Sequence, residues 1–201
     1  NTVLRTEITG RAELWDAWKG TATELLPVSR GTDYMCFELN LPRRESAVVF
    51  INPEEDMAAE TGNLNKTVQR LGLGCSWSVS EGDRIIFENI GSLISWTEWP
   101  GMDAFSGTLN YEASFTVQTE DNCRYLLDLG EVHETAHLYV NGHDAGVKMW
   151  APYILDITHW IRDGLNTVRV EVTNSIANRI SRAKLESGLI GPVSLVKISE
   201  Q

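Results

Sequence analysis

Four histidines, three cysteines and 28 acidic residues are the groups of this chain able to bind a metal or move a proton, and their spacing decides which chemistry is open to it. His133 and His137 stand four residues apart, which on a helix would aim two imidazoles at one ion. The surrounding "EVHETAHLYV" is rich in β-formers, however, and a strand keeps such a pair from converging. His143 and His159 have no ligand-like neighbours. Cys36, Cys75 and Cys123 are an odd number without CxxC or Cys/His spacing, and they read as small buried hydrophobes; one disulfide between two of them is the other reading. There is no GxSxG, HExxH or GxxxxGK[ST] stretch, and carboxylates scattered over loops and strand edges define no acid–base pair by spacing. The sequence therefore names no catalytic residue and no metal-ligand set.

Its aromatic and amide side chains suit a different chemistry. A protein that binds sugars needs an exposed aromatic face for the apolar CH surface of the ring, with amides or carboxylates beside it for the hydroxyls. The stretch "HLYVNGHDAGVKMWAPYILDIT" offers Asn141, His143 and Asp144 on a hairpin, followed by Trp150 and Tyr153. Trp96 and Trp99 lie in another stretch rich in turn residues. The competing reading is that these aromatics plug the end of a sandwich, and the test between the two is whether Trp96, Trp99 and Trp150 are exposed in a concave patch or buried. Trp77, alternating with Val79, and Trp160, inside a turn, read as core; Trp15 and Trp18 read as packing at a domain junction.

The elements that must carry these residues are strands. Leu109, Tyr111, Ala113, Phe115 and Val117 alternate on one face of "TLNYEASFTV", and Val168, Val170 and Val172 do the same in "NTVRVEVT". These two faces are expected to pack against each other. "YMCFELNL" puts Met35, Phe37, Leu39 and Leu41 on one face. Asn141-Gly142 predicts a type I′ hairpin, because both central residues must take φ > 0. Single helical turns are expected only at "MAAETG", "TVQRLG" and "THWIRDG", the last capped by Asp156 or Thr158 and stopped by Gly164. About ten short strands with turn signals every 8–12 residues predict an all-β antiparallel sandwich of jelly-roll type. Residues 1–55 read as the end of a preceding β-domain or as strands added to the later one, 56–69 as a polar linker, and 70–201 as the sandwich.

A formal charge of −11 repels phosphate backbones, and no basic stripe offsets it, so nucleic acid is not an expected partner. No apolar run approaches the roughly 20 residues that span a bilayer, so no membrane insertion is expected. Asn1 is preceded by no methionine or signal-like segment, and the chain reads as a fragment.

Four stretches in order, "SWTEWPGMDAFSGTLNYEASF", "YLLDLGEVHETAHLYVNGHDAG", "APYILDITHWIRDGLNTVRVEVTNSIANR" and "SGLIGPVSL", resemble the sugar-binding, galactose-binding-like jelly roll of glycoside hydrolase family 2. They resemble still more closely the C-terminal region of family 106 α-L-rhamnosidase-like enzymes. The resemblance implies an accessory domain that binds carbohydrate or only buttresses a catalytic barrel, and a secreted or periplasmic parent. In such enzymes the catalytic carboxylates sit on a barrel that these 201 residues do not contain. It also implies a structural calcium as the one cofactor to look for, although no Dx[DN]xDG loop locates it. After Asn178 and Arg179 the sequence departs from the family pattern, and these two residues read as contacts to the missing catalytic domain.

Overall fold

The computed structural model describes residues 2–17, 20–41, 46–55 and 66–200, and the chain divides into two compact units, Asn1–Leu64 and Asn65–Gln201. Trp18 and the expected turn at "MAAETG" fall outside the described residues.

The first unit holds β1 (Thr2–Thr6), β2 (Arg11–Asp16), β3 (Thr21–Glu24), β4 (Ser29–Arg30), β5 (Met35–Leu39) and β6 (Val48–Asn52). They form two three-stranded sheets of their own, ordered β1-β5-β4 and β3-β2-β6. Alternation in β5 buries Met35, Phe37 and Leu39, as its sequence pattern predicts, and Met35 and Phe37 join Ala12 in a small core. Trp15, read as packing at a domain junction, is 47% exposed; its ring lies 5.8 Å from that of Phe50 and its Nε1–H donates to Glu13 Oε2 at 3.0 Å.

The second unit is an antiparallel β-sandwich. Its strands are β7 (Lys66–Gly72), β8 (Trp77–Glu81), β9 (Arg84–Ile90), β10 (Thr108–Val117), β11 (Cys123–Asp128), β12 (Glu131–His133), β13 (Thr135–Val140), β14 (His143–Lys148), β15 (Ile154–Asp156), β16 (Gly164–Thr173), β17 (Gly188–Gly191) and β18 (Ser194–Glu200). One sheet is ordered β14-β13-β16-β10-β8-β9 and the other β15-β11-β18-β7, with β12 and β17 paired separately. Inward residues of both sheets, among them Leu109, Tyr111 and Val170 from the first and Tyr125, Leu127 and Leu195 from the second, share one core. Each such side chain contributes about 1.5–3 kcal/mol by leaving water.

Three expectations need correction. Tyr111 and Ala113 do not face Val170 and Val168 across the core; they are their cross-strand partners on the same face of one sheet, because β10 and β16 are hydrogen-bonded neighbours. Burial on one side was legible from alternation, but alternation cannot distinguish a partner beside from a partner opposite. "TVQRLG" is part of β7, paired with β18, so the last four residues of the expected 56–69 linker are strand. The α-helix that does form, α1 (Ala177–Ser181), lies where none was expected; it ends with Arg182 in the left-handed region at φ 50°.

Candidate functional site

The Asn141-Gly142 hairpin forms as its sequence requires, with φ of 52° and 82° closing β13 onto β14. Its side chain is architectural. Asn141 Nδ2 donates to Trp160 O at 2.7 Å and to Asn166 Oδ1 at 2.8 Å, and Thr167 N–H donates to Asn141 Oδ1 at 2.9 Å. Asn166, wholly buried, donates in turn to Arg162 O and Gly164 O and accepts from Arg162 N–H. The "THWIRDG" segment is a hydrogen-bonded turn, capped by Asp156, which accepts from Thr158 N–H at 3.0 Å. Burial alone would raise the Asp156 carboxyl, but hydrogen bonds from Thr158 and Arg124 outweigh it and hold the pKa below the usual aspartate value.

The residues expected to form a sugar platform are not brought together. Trp150 lies beyond the far end of β14 from the hairpin, and at about 3.3 Å per residue the six-residue strand itself is about 17 Å from His143 to Lys148. Trp150 is 38% exposed, whereas Tyr153 is buried and its hydroxyl donates to Glu134 O. Trp96 and Trp99 are also buried. Trp96 Nε1–H donates to the Tyr111 hydroxyl, and Trp99 packs on Phe87 with ring centroids 4.5 Å apart. Burial pushes the Tyr111 phenol up to about 12. The reason is steric: the loop between β9 and β10 folds over the core as a 3-10 turn at Trp96–Glu98, and the indoles fill the sandwich end. Asn178, read as an interface residue, is buried too; it donates to Leu185 O and Ser187 Oγ and so fastens the loop after α1, while Arg179 is exposed. The three cysteines are half-buried free thiols.

Asp144 belongs to a different constellation, on the outward face of the six-stranded sheet. A groove of about 680 Å³ crosses this face, lined by Ser78, Glu88, Glu112, Tyr139, Thr167 and Arg169 among others. The Arg169 guanidinium lies 4.0 Å from the centre of the Tyr139 ring and pairs with Glu171 at 2.8 Å. His137 stacks on Tyr139 at 4.3 Å, its Nδ1 lies 3.1 Å from the Tyr139 hydroxyl, and its Nε2 lies 3.0 Å from Asp144 Oδ1. A neutral imidazole satisfies this set by donating from Nε2 to Asp144 and accepting from Tyr139 at Nδ1. The His137 hydrogen bond, followed by that from Gly146 N–H, lowers the Asp144 pKa. The groove offers hydrogen-bonding groups of both charges, but Arg169 and His137 already occupy the ring of its tyrosine. Sequence reasoning missed His137, Tyr139 and Arg169. The signal was present: Arg169 lies on the polar side of β16, whose apolar side was read as core, and His137 and Tyr139 alternate with Ala136, Leu138 and Val140 on β13 in the same way.

His133, which does not converge with His137, instead faces two carboxylates. Its Nε2 lies 3.0 Å from Glu131 Oε1 and 3.8 Å from Glu186 Oε2. Among the described residues this is the one group of three metal-ligating side chains. An imidazole among three donors does not fit the calcium that the family resemblance implies, since calcium takes six to eight oxygens.

No family model matches the chain. The structure of a rhamnosidase from Novosphingobium sp. PP1Y superposes with a TM-score of 0.77 and 28% identity, over 96% of this chain and 21% of that one. The chain is similar, almost end to end, to one fifth of a rhamnosidase. A putative β-glucuronidase of Formosa agariphila is 33% identical over 120 residues, 56% of this chain and 10% of that protein. An FMN-binding β-glucuronidase from Faecalibacterium prausnitzii shares the fold alone, with a TM-score of 0.51 and 24% identity over 66% of this chain and 23% of its own. The chain thus spans a tenth to about a quarter of these relatives, and it looks like a domain region from a glycoside hydrolase.

Proposed function

We propose that this chain is a non-catalytic accessory region of a larger, secreted or periplasmic glycoside hydrolase resembling α-L-rhamnosidases, with a galactose-binding-like jelly roll that packs against its parent's catalytic domain. The observation that carries the reading is the likeness over 96% of this chain to only 21% of a rhamnosidase. The choice of packing over sugar binding rests on the aromatics: Trp96, Trp99 and Tyr153 are spent in the core. A surface suited to a neighbouring domain is present at α1 and its N-cap, where Ile176, the N-cap, and Ile180 are 58% and 72% exposed and stand four residues apart on one side, beside Arg179.

Carbohydrate binding is the second reading, favoured by the groove beside Tyr139, Arg169 and Glu112. A shallow polar groove of this kind would bind weakly, with a dissociation constant on the order of millimolar. The test is an NMR titration of the chain with rhamnose, glucuronate and their oligosaccharides to tens of millimolar. Silence supports the packing role. Shifts that map to Tyr139 and Arg169 and vanish in Arg169→Ala would replace it with the second reading.

A further inference from the structure

We propose that Glu131, His133 and Glu186, brought together where β12 pairs with β17, form a binding site for a divalent cation of the zinc class. Glu131 and His133 flank the buried Val132, and although the register shifts between Glu131 and Val132 their side chains meet on one side of the strand, with Glu131 Oε1 3.0 Å from His133 Nε2. His133 is paired with Gly188, and the chain two residues earlier delivers Glu186 to the same place. The three ligand atoms lie within 4.8 Å of one another, with the measured pairs at 3.0 Å and 3.8 Å. Tetrahedral zinc with bonds of about 2.0–2.2 Å holds its ligand atoms about 3.3–3.6 Å apart, so the observed separations straddle what the ion needs.

The charges argue the same way. Two carboxylates converge on one imidazole, and even a protonated histidine would leave the cluster at −1. Exposed ion pairs hold long side chains together only weakly, whereas a dication would neutralise both carboxylates. Mixed nitrogen and oxygen donors select first-row metals over calcium or magnesium. Three protein ligands leave the fourth position to water.

An ion here would tie the edge strand β12 to the loop between α1 and β17. That loop carries Arg182 and Lys184, both with positive φ, and runs into Ser187, which is buried against Ser95 and Asn178. The site is independent of the accessory role proposed above.

Isothermal titration of the whole chain with zinc chloride, in a non-chelating buffer at neutral pH, is the first measurement. One equivalent should bind, calcium should not compete, and His133→Ala and Glu186→Gln should each weaken binding at least about tenfold. His159→Ala, an exposed histidine outside the cluster, should leave it unchanged. Glu186 is 65% exposed, so its replacement does not endanger the fold. The second measurement is tryptic cleavage after Arg182 and Lys184, which zinc should slow in the parent chain and not in Glu186→Gln. Absence of zinc binding, or binding that neither variant weakens, overturns the proposal.

Discussion

Replacing Asn141 separates architecture from recognition at the hairpin. Asn141→Ala removes three side-chain hydrogen bonds, to Trp160 O, Asn166 Oδ1 and Thr167 N–H. At about 1 kcal/mol each they sum to about 3 kcal/mol, and most of the loss falls on Trp160 O and Thr167 N–H, because Asn166 Oδ1 keeps its bond from Arg162. Alanine must also adopt the φ of 52° that asparagine tolerates, which adds about 1 kcal/mol. The expected destabilisation of the second unit is therefore about 4 kcal/mol for Asn141→Ala and about 3 kcal/mol for Asn141→Gly, which relieves the backbone term. The assay is urea unfolding followed by the fluorescence of the buried Trp77, Trp96 and Trp99. A loss below about 1 kcal/mol for alanine, or a glycine variant no better than alanine, would refute the reasoning and return Asn141 to the list of side chains available for a ligand.

Other perturbations have equally definite outcomes. Gly188→Ala should cost more than about 3 kcal/mol or abolish soluble expression, because φ is 100° and an added methyl would meet the Trp96 indole and, at 2.7 Å, the Tyr111 hydroxyl; a normal unfolding curve would contradict the packing described. Asp156 has a folded pKa below its unfolded value of about 3.9, so its contribution is present above that value and is lost as pH falls through the depressed one. The urea midpoint of the second unit should accordingly drop below about pH 4 in the parent chain and drop less in Asp156→Asn; identical pH profiles would exclude Asp156 as a contributor.

The fold was legible because alternation is a local signal. Leu109 to Val117 and Val168 to Val172 announce a buried face without reference to anything distant, and Asn141-Gly142 announces its turn. Which strands lie side by side is a long-range fact: nothing within β10 says that its neighbours are β8 and β16. The same limit explains the site. Trp96 and Trp99 sit among turn residues, which favours exposure, but their loop folds back so that Ser95 accepts from Ser187 N–H at 3.1 Å and the indoles are carried inside. His133, Glu131 and Glu186 are separated by up to 55 positions, counted from Glu131 to Glu186, and only the β12–β17 pairing joins them. Arg169 and Tyr139 could have been found by reading the polar side of the alternation with the attention given to the apolar one.

The central claim, that this chain accompanies a glycoside hydrolase without carrying its catalytic groups, is tested most directly by assaying the purified chain on aryl glycosides, the α-L-rhamnoside and β-glucuronide included. No turnover above a mock preparation is expected, because the accessory role proposed above rests on a likeness to only 21% of a rhamnosidase and leaves the catalytic groups to the rest of the parent. Turnover that survives purification and disappears when a single carboxylate is replaced by its amide would contradict the claim.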